Sequence, residues 1–269
     1  MDCYAVIGNP ITHSKSPLIH AEFARQTAQR LTYSTLLAPV DRFAPTVAEF
    51  VQSGGKGLNV TIPFKVDAFE FAHRLSERAQ AAGAVNTLSF KEGEVEGDNT
   101  DGVGLMCDVT KNLRFGIEGR RVLLLGAGGA ARGAIASLFA EKPCVIVVAN
   151  RTLTRAKDLA AQFSNLGQIE AMNFDGLKDR QFDLIINSTA ASLEGDVLPI
   201  PGSVFADGAL AYDMMYGKGL TSFLQAAAQA GARTADGLGM LVEQAAESFF
   251  IWRGVRPDTA PVLNKLRGA

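Results

Sequence analysis

The sequence is poor in the residues that usually announce special chemistry. It has 3 cysteines, 3 histidines and a single tryptophan in 269 residues. Cys3, Cys107 and Cys144 lie far apart, without the close spacing of a metal site. That scatter excludes a cysteine-stapled secreted fold. It reads as three buried thiols in a reducing, cytoplasmic compartment. No metal is expected. Charge of either sign is also not in excess, with 26 Lys+Arg against 28 Asp+Glu and a net charge of −2. No basic footprint therefore favours nucleic acid. No apolar run is long enough to span a membrane, and the opening Met1-Asp2-Cys3-Tyr4 lacks the basic region of a signal peptide. Internal repeats and low-complexity segments are missing too.

What is present is an ordinary globular composition, 47% hydrophobic and 20% charged. The length suits one or two domains. The most informative stretch runs from Arg121 to Arg132. Val122 to Leu125 is an unbroken apolar run, as expected of a buried parallel strand. The turn Gly126-Ala127-Gly128-Gly129 follows, then a small-residue helix that begins with Ala130 and Ala131. Strand, glycine turn and helix open a dinucleotide-binding unit. Gly126 allows the tight turn, Gly128 lets backbone approach a pyrophosphate, and Ala131 permits close packing of helix on strand. The helix start offers unpaired N–H groups to phosphate. An ordinary strand–helix turn is the plain alternative.

The end of the next strand, Val145 to Ala149, discriminates between cofactors. An NAD site usually carries an acid there to hold the ribose 2′-hydroxyl. This sequence has Asn150, Arg151 and Thr152, with Arg155 one turn on, and no acid. Guanidinium groups pair well with a 2′-phosphate, so NADP(H) is the expected cofactor.

In the first hundred residues, strands are expected at Tyr4–Gly8, Thr32–Leu37, Gly57–Ile62 and Val85–Phe90, with a hairpin turn at Lys91–Glu94. Ser16 followed by Pro17 reads as a helix start with Ser16 as cap. Ser14 has no such local explanation, and the serine pair could hold a carboxylate or polyhydroxy ligand. Lys65 falls in the first turn after Pro63. A cation there meets the positive end of the helix dipole, a cost of roughly 0.3–1 kcal/mol. A lysine set against its local preference is a candidate for chemistry; a side chain bending into water is the alternative. Asn86 and Asp101 would join Lys65 in a polar cluster if their elements are neighbours. Thr100 or Asp101 could equally be a plain helix cap. His13 and His20 have no partner spacing and read as structural. In the second half, strands at Phe182–Asn187 and Leu210–Met214 end in polar loops, where ligands of open sheets bind. The last helix, about Met240–Trp252, carries a core stripe at Leu241, Ala245, Phe249 and Trp252, with Gln244 beside it.

Taken together, the chain resembles shikimate dehydrogenases along nearly its whole length. The resemblance rests on Ile7-Gly8-Asn9-Pro10 with Ser14-Lys15-Ser16-Pro17, on Asn59 to Lys65, on Gly83 to Thr87 and on Asn99 to Gly102. Gly126 to Arg132, Asn150 to Thr152, and Gly237 to Leu241 with Gln244 complete it. It implies an α/β protein: an N-terminal substrate domain with a mostly parallel mixed sheet, a Rossmann-like doubly wound NADP domain, and a cleft between them. The implied boundaries are 1–101, completed by 238–269, and 102–237. It further implies reversible reduction of 3-dehydroshikimate to shikimate by NADPH, on the route to chorismate and aromatic amino acids. Lys65 and Asp101 would be the catalytic pair. Ser14 and Ser16 would hold the substrate carboxylate. Thr61, Asn86, Asp101 and Gln244 would hold its hydroxyls, with Asn59 and Tyr216 nearby. Gly126, Ala127, Gly128, Gly129, Ala130 and Ala131 would cradle pyrophosphate. Asn150, Arg151, Thr152 and Arg155 would take the 2′-phosphate, and Thr189, Met214 and Gly237 would line the nicotinamide pocket.

Two roles for Lys65 stay open at this point, acid–base group or electrostatic anchor. One stretch departs from the family pattern: Ser188-Thr189-Ala190-Ala191-Ser192-Leu193 lacks the serine usual after the threonine, and a glycine comes only at Gly195. The alternatives are a quinate/shikimate dehydrogenase of broader specificity and a non-catalytic NADPH-binding sensor on the same fold. A small-molecule substrate, with no nucleic acid or membrane partner, and a monomer or homodimer complete the expectation.

Overall fold

The computed structural model describes residues 1–189, 197–217 and 219–268. The chain divides into two compact units, one of residues 1–104 with 241–269 and one of residues 105–240. Among the described residues, no helix is long and apolar enough to cross a membrane.

The first unit is built on a six-stranded mixed sheet in the order β2-β1-β3-β5-β6-β4. Its strands are β1 (Asp2–Gly8), β2 (Leu31–Leu37), β3 (Gly55–Val60), β4 (Arg74–Leu75), β5 (Thr87–Lys91) and β6 (Glu94–Asp98). β1 pairs parallel with β2 and β3, while β3–β5 and β5–β6 are antiparallel. Tyr4 to Ile7 are all buried, as a strand covered on both faces requires, whereas edge strand β2 alternates half-buried and exposed residues. The β5–β6 hairpin turns at Glu92 and Gly93, both with positive φ (52° and 83°), the geometry whose twist matches the flanking strands. Helices α1 (Ser16–Gln26), α2 (Phe43–Gln52), α3 (Lys65–Phe71) and α4 (Glu77–Ala82) connect the strands, and α5 (Asp101–Cys107) follows β6. Ile7, Leu58, Leu88, Phe43 and Phe64 lie in the core of this unit. Helix α4, capped by the Ser76 side chain and closed by Gly83 at φ 60°, is too short to leave a periodic signal.

The second unit carries an all-parallel sheet of β7 (Arg121–Leu125), β8 (Val145–Ala149), β9 (Ile169–Met172), β10 (Phe182–Asn187), β11 (Phe205–Asp213) and β12 (Arg233–Asp236). The order is β12-β11-β10-β7-β8-β9. Counted from the first strand of this unit, that is 3-2-1-4-5-6, the doubly wound arrangement expected from the sequence. Helices α6 (Gly129–Ala140), α7 (Leu153–Phe163) and α8 (Ser222–Gln229) accompany the strands, and α9 (Leu238–Arg253) and α10 (Ala260–Arg267) end the chain. Helix α10 falls within the C-terminal stretch 238–269 expected to be helical; its eight residues begin with Ala260 and Pro261.

The helix that begins at Asp101 changes character beyond Cys107, and Asp108–Asn112 winds as a π turn. Asp108 lies buried there, accepting from Tyr212 Oη at 2.7 Å and from Asn112 Nδ2 at 3.0 Å. The expectation of three buried thiols is not met. Cys3 and Cys107 are half-buried, and Cys144 is exposed in the segment before β8.

Candidate active site

Parallel strands present their C-terminal ends to ligands, and β1 and β3 are adjacent parallel strands in the first unit. Ser14 and Ser16 follow β1, and Thr61 and Lys65 follow β3. The Thr61 N–H donates to Ile7 O at 3.0 Å, and the Phe64 N–H closes a turn onto Thr61 O at 2.9 Å. That turn places Lys65 as the first residue of α3. Gly8 makes room here: a Cβ at this position would crowd the Thr61 methyl at 2.6 Å.

Lys65 does not bend away into water. Its Nζ lies 2.6 Å from Asp101 Oδ2, with the side chains 31% and 12% exposed. The other carboxylate oxygen, Oδ1, accepts from Asn86 Nδ2 at 2.9 Å. Asn86 also donates toward Thr100 Oγ1 at 2.9 Å and Gln244 Oε1 at 3.3 Å. Lys65, Asn86, Asp101 and Gln244 thus form one cluster, although 158 positions separate Asn86 from Gln244. The backbone explains it. Asn86 is pinned between strands, its N–H on Asp98 O and its carbonyl on the Val60 N–H, while the Val85 N–H bonds to Lys65 O at 2.9 Å. Neither Thr100 nor Asp101 caps α5; the Asn99 side chain accepts the Asp101 N–H at 3.1 Å, leaving the Asp101 carboxylate for Lys65. A half-exposed ion pair contributes about 1 kcal/mol or less to folding. Its value is geometric: the ammonium is oriented by one partner and keeps further N–H donors to offer.

Ser16 is not the cap of α1. Lys15 occupies that position without a side-chain bond, and the Ser16 N–H reaches Ser14 Oγ at 3.3 Å. Ser16 is buried and Ser14 half-buried. Asn59 is 6% exposed and its amide is engaged inside the protein. It accepts from Tyr33 Oη at 2.7 Å and donates toward Ser248 Oγ, Asn86 O and Thr87 Oγ1 at 3.0–3.3 Å. The sequence reading gave no site role to Tyr33, Thr87, Thr100 or Ser248. The available signals were the adjacency of Thr87 to Asn86 and the one-turn spacing of Ser248 from Gln244.

The second unit supplies a different kind of site. Gly126 has φ 105°, and a Cβ there would meet Ser188 Oγ at 2.8 Å, so the loop after β10 lies against the turn after β7. β7 and β10 are neighbours at the point where strand order reverses, the switch point at which such sheets bind ligands. Space in front of Gly128 and Gly129 is open, with nothing within 4 Å of a Cβ built at either. No side chain caps α6, whose first N–H groups are therefore free for an anion. This cradle fits a pyrophosphate. Ala130 and Ala131 follow in the first turn of α6, with Ala131 fully buried against the sheet.

Beyond β8, Arg151, Thr152 and Arg155 are exposed, and Asn150 turns its amide onto Thr152 O at 2.9 Å. Neither arginine forms an ion pair with a described residue. Thr189 bonds through both N–H and hydroxyl to Asn187 Oδ1, at 3.0 and 2.7 Å. Ala190, Ala191, Ser192, Leu193 and Gly195 lie outside the described residues. Met214 is buried, and Gly237 packs directly on its carbonyl. Tyr216 is half-buried, and burial pushes its phenol pKa up, so it is a neutral hydroxyl.

A doubly wound sheet with an uncapped glycine cradle at its switch point, in a chain that also holds an oriented lysine–aspartate pair, defines a dinucleotide-dependent oxidoreductase. The comparisons with known proteins sharpen that class. Residues 6–88 match the shikimate dehydrogenase substrate binding domain, 109–194 match shikimate / quinate 5-dehydrogenase, and 237–267 match the shikimate 5′-dehydrogenase C-terminal domain. The chain is 58% identical to shikimate dehydrogenase (NADP(+)) of Nitrosospira multiformis, over 100% of this chain and 98% of that protein. It also resembles a solved Ael1 enzyme from Pseudomonas putida, at 48% identity and a TM-score of 0.95, covering 99% and 98% of the two chains. The Thermus thermophilus shikimate 5-dehydrogenase, solved with NADP(H) and shikimate, superposes with a TM-score of 0.88 at 31% identity and covers 99% of each chain. The chain belongs to the shikimate dehydrogenase family.

Proposed function

We propose that this chain interconverts 3-dehydroshikimate and shikimate with NADP(H). The single observation that carries the chemistry is the Lys65–Asp101 pair, oriented by Asn86 beyond the end of β3. The substrate and cofactor rest on the relatives at 58–60% identity, which are named for this reaction. NADP(H), when bound, supplies or accepts the hydride at the reacting carbon. Lys65 supplies the other half of the reaction. Its ammonium stabilises the negative oxygen that develops during ketone reduction and passes it a proton; in the reverse direction it receives that proton. Asp101 holds the ammonium in place and accepts from the neighbouring substrate hydroxyl. Thr61, Asn86 and Gln244 serve the remaining hydroxyls. Ser14 and Ser16 face the carboxylate of the substrate. We assign substrate to the first unit and cofactor to the second. In the second unit, Gly126 to Ala131 hold the pyrophosphate, and Asn150, Arg151, Thr152 and Arg155 hold the 2′-phosphate. Thr189, Met214 and Gly237 border the nicotinamide.

The test is absorbance of the reduced cofactor with purified protein, offering shikimate or quinate against NADP⁺ or NAD⁺. Turnover with shikimate and NADP⁺ alone is expected. The 109–194 match includes quinate in its description, and comparable turnover with quinate or NAD⁺ would move the protein to that broader branch. NADPH binding without turnover on any pair would leave a sensor and remove Lys65 and Asp101 from catalysis.

A further inference from the structure

Asn86 is useful to Asp101 only in one amide orientation, with Nδ2 toward the carboxylate. The structure contains a device that selects this orientation. Thr87 and Ser248 are completely buried, on β5 and α9, in the first unit. Thr87 Oγ1 donates to Asn86 Oδ1 at 2.8 Å. A threonine hydroxyl has one proton, so Thr87 must act as acceptor in its 2.8 Å contact with Ser248 Oγ. Ser248 is then the donor to Thr87, in preference to the longer 3.1 Å contact with the Gln244 carbonyl. Its own oxygen accepts from Asn59 Nδ2 at 3.0 Å. Asn59 in turn is fixed by Tyr33 Oη, which donates to Oδ1 at 2.7 Å. The donors therefore run in one direction, from Asn59 through Ser248 and Thr87 to Asn86.

At the end of this relay, Asn86 Oδ1 faces the Thr87 hydroxyl, the Thr100 N–H at 2.9 Å and, at the longer 3.2 Å, the Thr100 hydroxyl. Its Nδ2 faces three acceptors, Asp101 Oδ1 and Thr100 Oγ1 at 2.9 Å and Gln244 Oε1 at 3.3 Å. A flipped amide would set oxygen against carboxylate and N–H against N–H. In a buried site such mismatches are costly, because no water can compensate them.

We propose that Thr87 and Ser248 are positioning residues: a buried hydroxyl relay that locks the Asn86 amide toward Asp101 and so holds Asp101 against Lys65. The inference rests on the function proposed above, and its test includes a reading independent of activity. Thr87→Val removes the hydroxyl at nearly constant shape, and Thr87→Ser keeps it. With shikimate and NADP⁺, T87V is expected to lower kcat/KM for shikimate about tenfold, as loss of one buried hydrogen bond would. The KM for NADP⁺ should stay within about twofold, and T87S should restore turnover. The double variant T87V/N86A should be no slower than N86A alone, because the relay acts only through Asn86.

Equal losses in T87S and T87V, or losses that multiply in the double variant, would overturn the proposal in favour of simple packing. The independent reading is NMR of the Asn86 side-chain amide. Slow exchange and resolved proton shifts are expected in the native chain and in T87S, and should be lost in T87V. An unchanged amide signal in T87V would overturn the relay even if the protein turned over no substrate. If T87V fails to fold, Ser248→Ala carries the same comparisons, with the same expected and contrary results.

Discussion

Lys65 Nζ and Asp101 Oδ2 lie 2.6 Å apart across 36 positions of sequence. One residue begins a helix after a parallel strand, and the other begins a helix after a hairpin. Lys65 sits where its own helix disfavours a cation, so local stability does not account for it.

The first prediction concerns that lysine. Lys65→Ala should lower kcat by about 10²–10⁴-fold, the usual worth of a positioned acid–base group, with a much smaller change in KM for shikimate. Steady-state kinetics in both directions would check it. A variant that kept its turnover and lost only substrate affinity would make Lys65 a binding residue.

Arg151 leads to the second prediction. It is exposed directly beyond β8, without an ion-pair partner among the described residues. Charge-assisted bonds contribute about 1.5–3 kcal/mol, so Arg151→Ala should raise the KM for NADP⁺ by about 10–100-fold. The KM for NAD⁺ should hardly move. Equal effects on both cofactors would place Arg151 elsewhere than at a 2′-phosphate.

Close packing gives the third. A Cβ on Gly237 would run into the Met214 carbonyl, which is backbone and cannot swing aside. Gly237→Ala should cost about 1–3 kcal/mol, lowering Tm by about 2–4 °C per kcal/mol. It should also weaken NADPH binding, because the Met214 segment must move. Calorimetry and cofactor fluorescence measure the two effects; unchanged values for both would show that the turn tolerates a side chain.

The fourth prediction is a pH dependence. His20 is buried, stacked on Tyr33 with ring centroids 4.1 Å apart, and neither ring nitrogen has a hydrogen-bond partner at good geometry. Burial brings its pKa down to about 3, opposed only in part by the Asn59 side chain. The unfolded chain, with a histidine pKa near the ordinary 6.5, therefore binds a proton that the folded chain refuses. This contribution to stability is complete above about pH 6.5 and is lost as pH falls toward 3, at up to about 1.4 kcal/mol per pH unit. Denaturant melts at pH 7.5 and pH 5 should differ by on the order of 2 kcal/mol from this group. His20→Phe should flatten that difference, because it removes a titrating ring without removing a hydrogen bond. An unaltered slope would locate the pH dependence in other groups.

Much of this protein was legible from local sequence. The apolar run Val122–Leu125 with Gly126 fixed a strand and its turn, because four consecutive buried residues suit a parallel strand and a φ of 105° suits glycine. The missing acid after Ala149 and the arginine at 151 were equally readable. The errors came where a nearby side chain took a bond that the capping rule assigns elsewhere, or where the fold left a residue at the surface. Ser16 looked like a helix cap and is not one, because Ser14 Oγ takes its N–H. Asp101 looked like a cap, but Asn99 does that work. Cys144 looked, with the other two scattered cysteines, like a buried thiol, yet it stands exposed just before β8.

The sequence by itself determined the elements, the glycine turn and the chemical types available at each strand end. Periodicity, capping and turn chemistry act over a few residues, so they can be read along the chain. Only the tertiary structure decided that Lys65, Asn86, Asp101 and Gln244 meet, and that Tyr33, Asn59, Thr87 and Ser248 lie behind them. Those contacts depend on which strands pair and in what register. Register is set by burial of the whole sheet, and a slip of one residue would turn Asn59 and Thr87 to the opposite face.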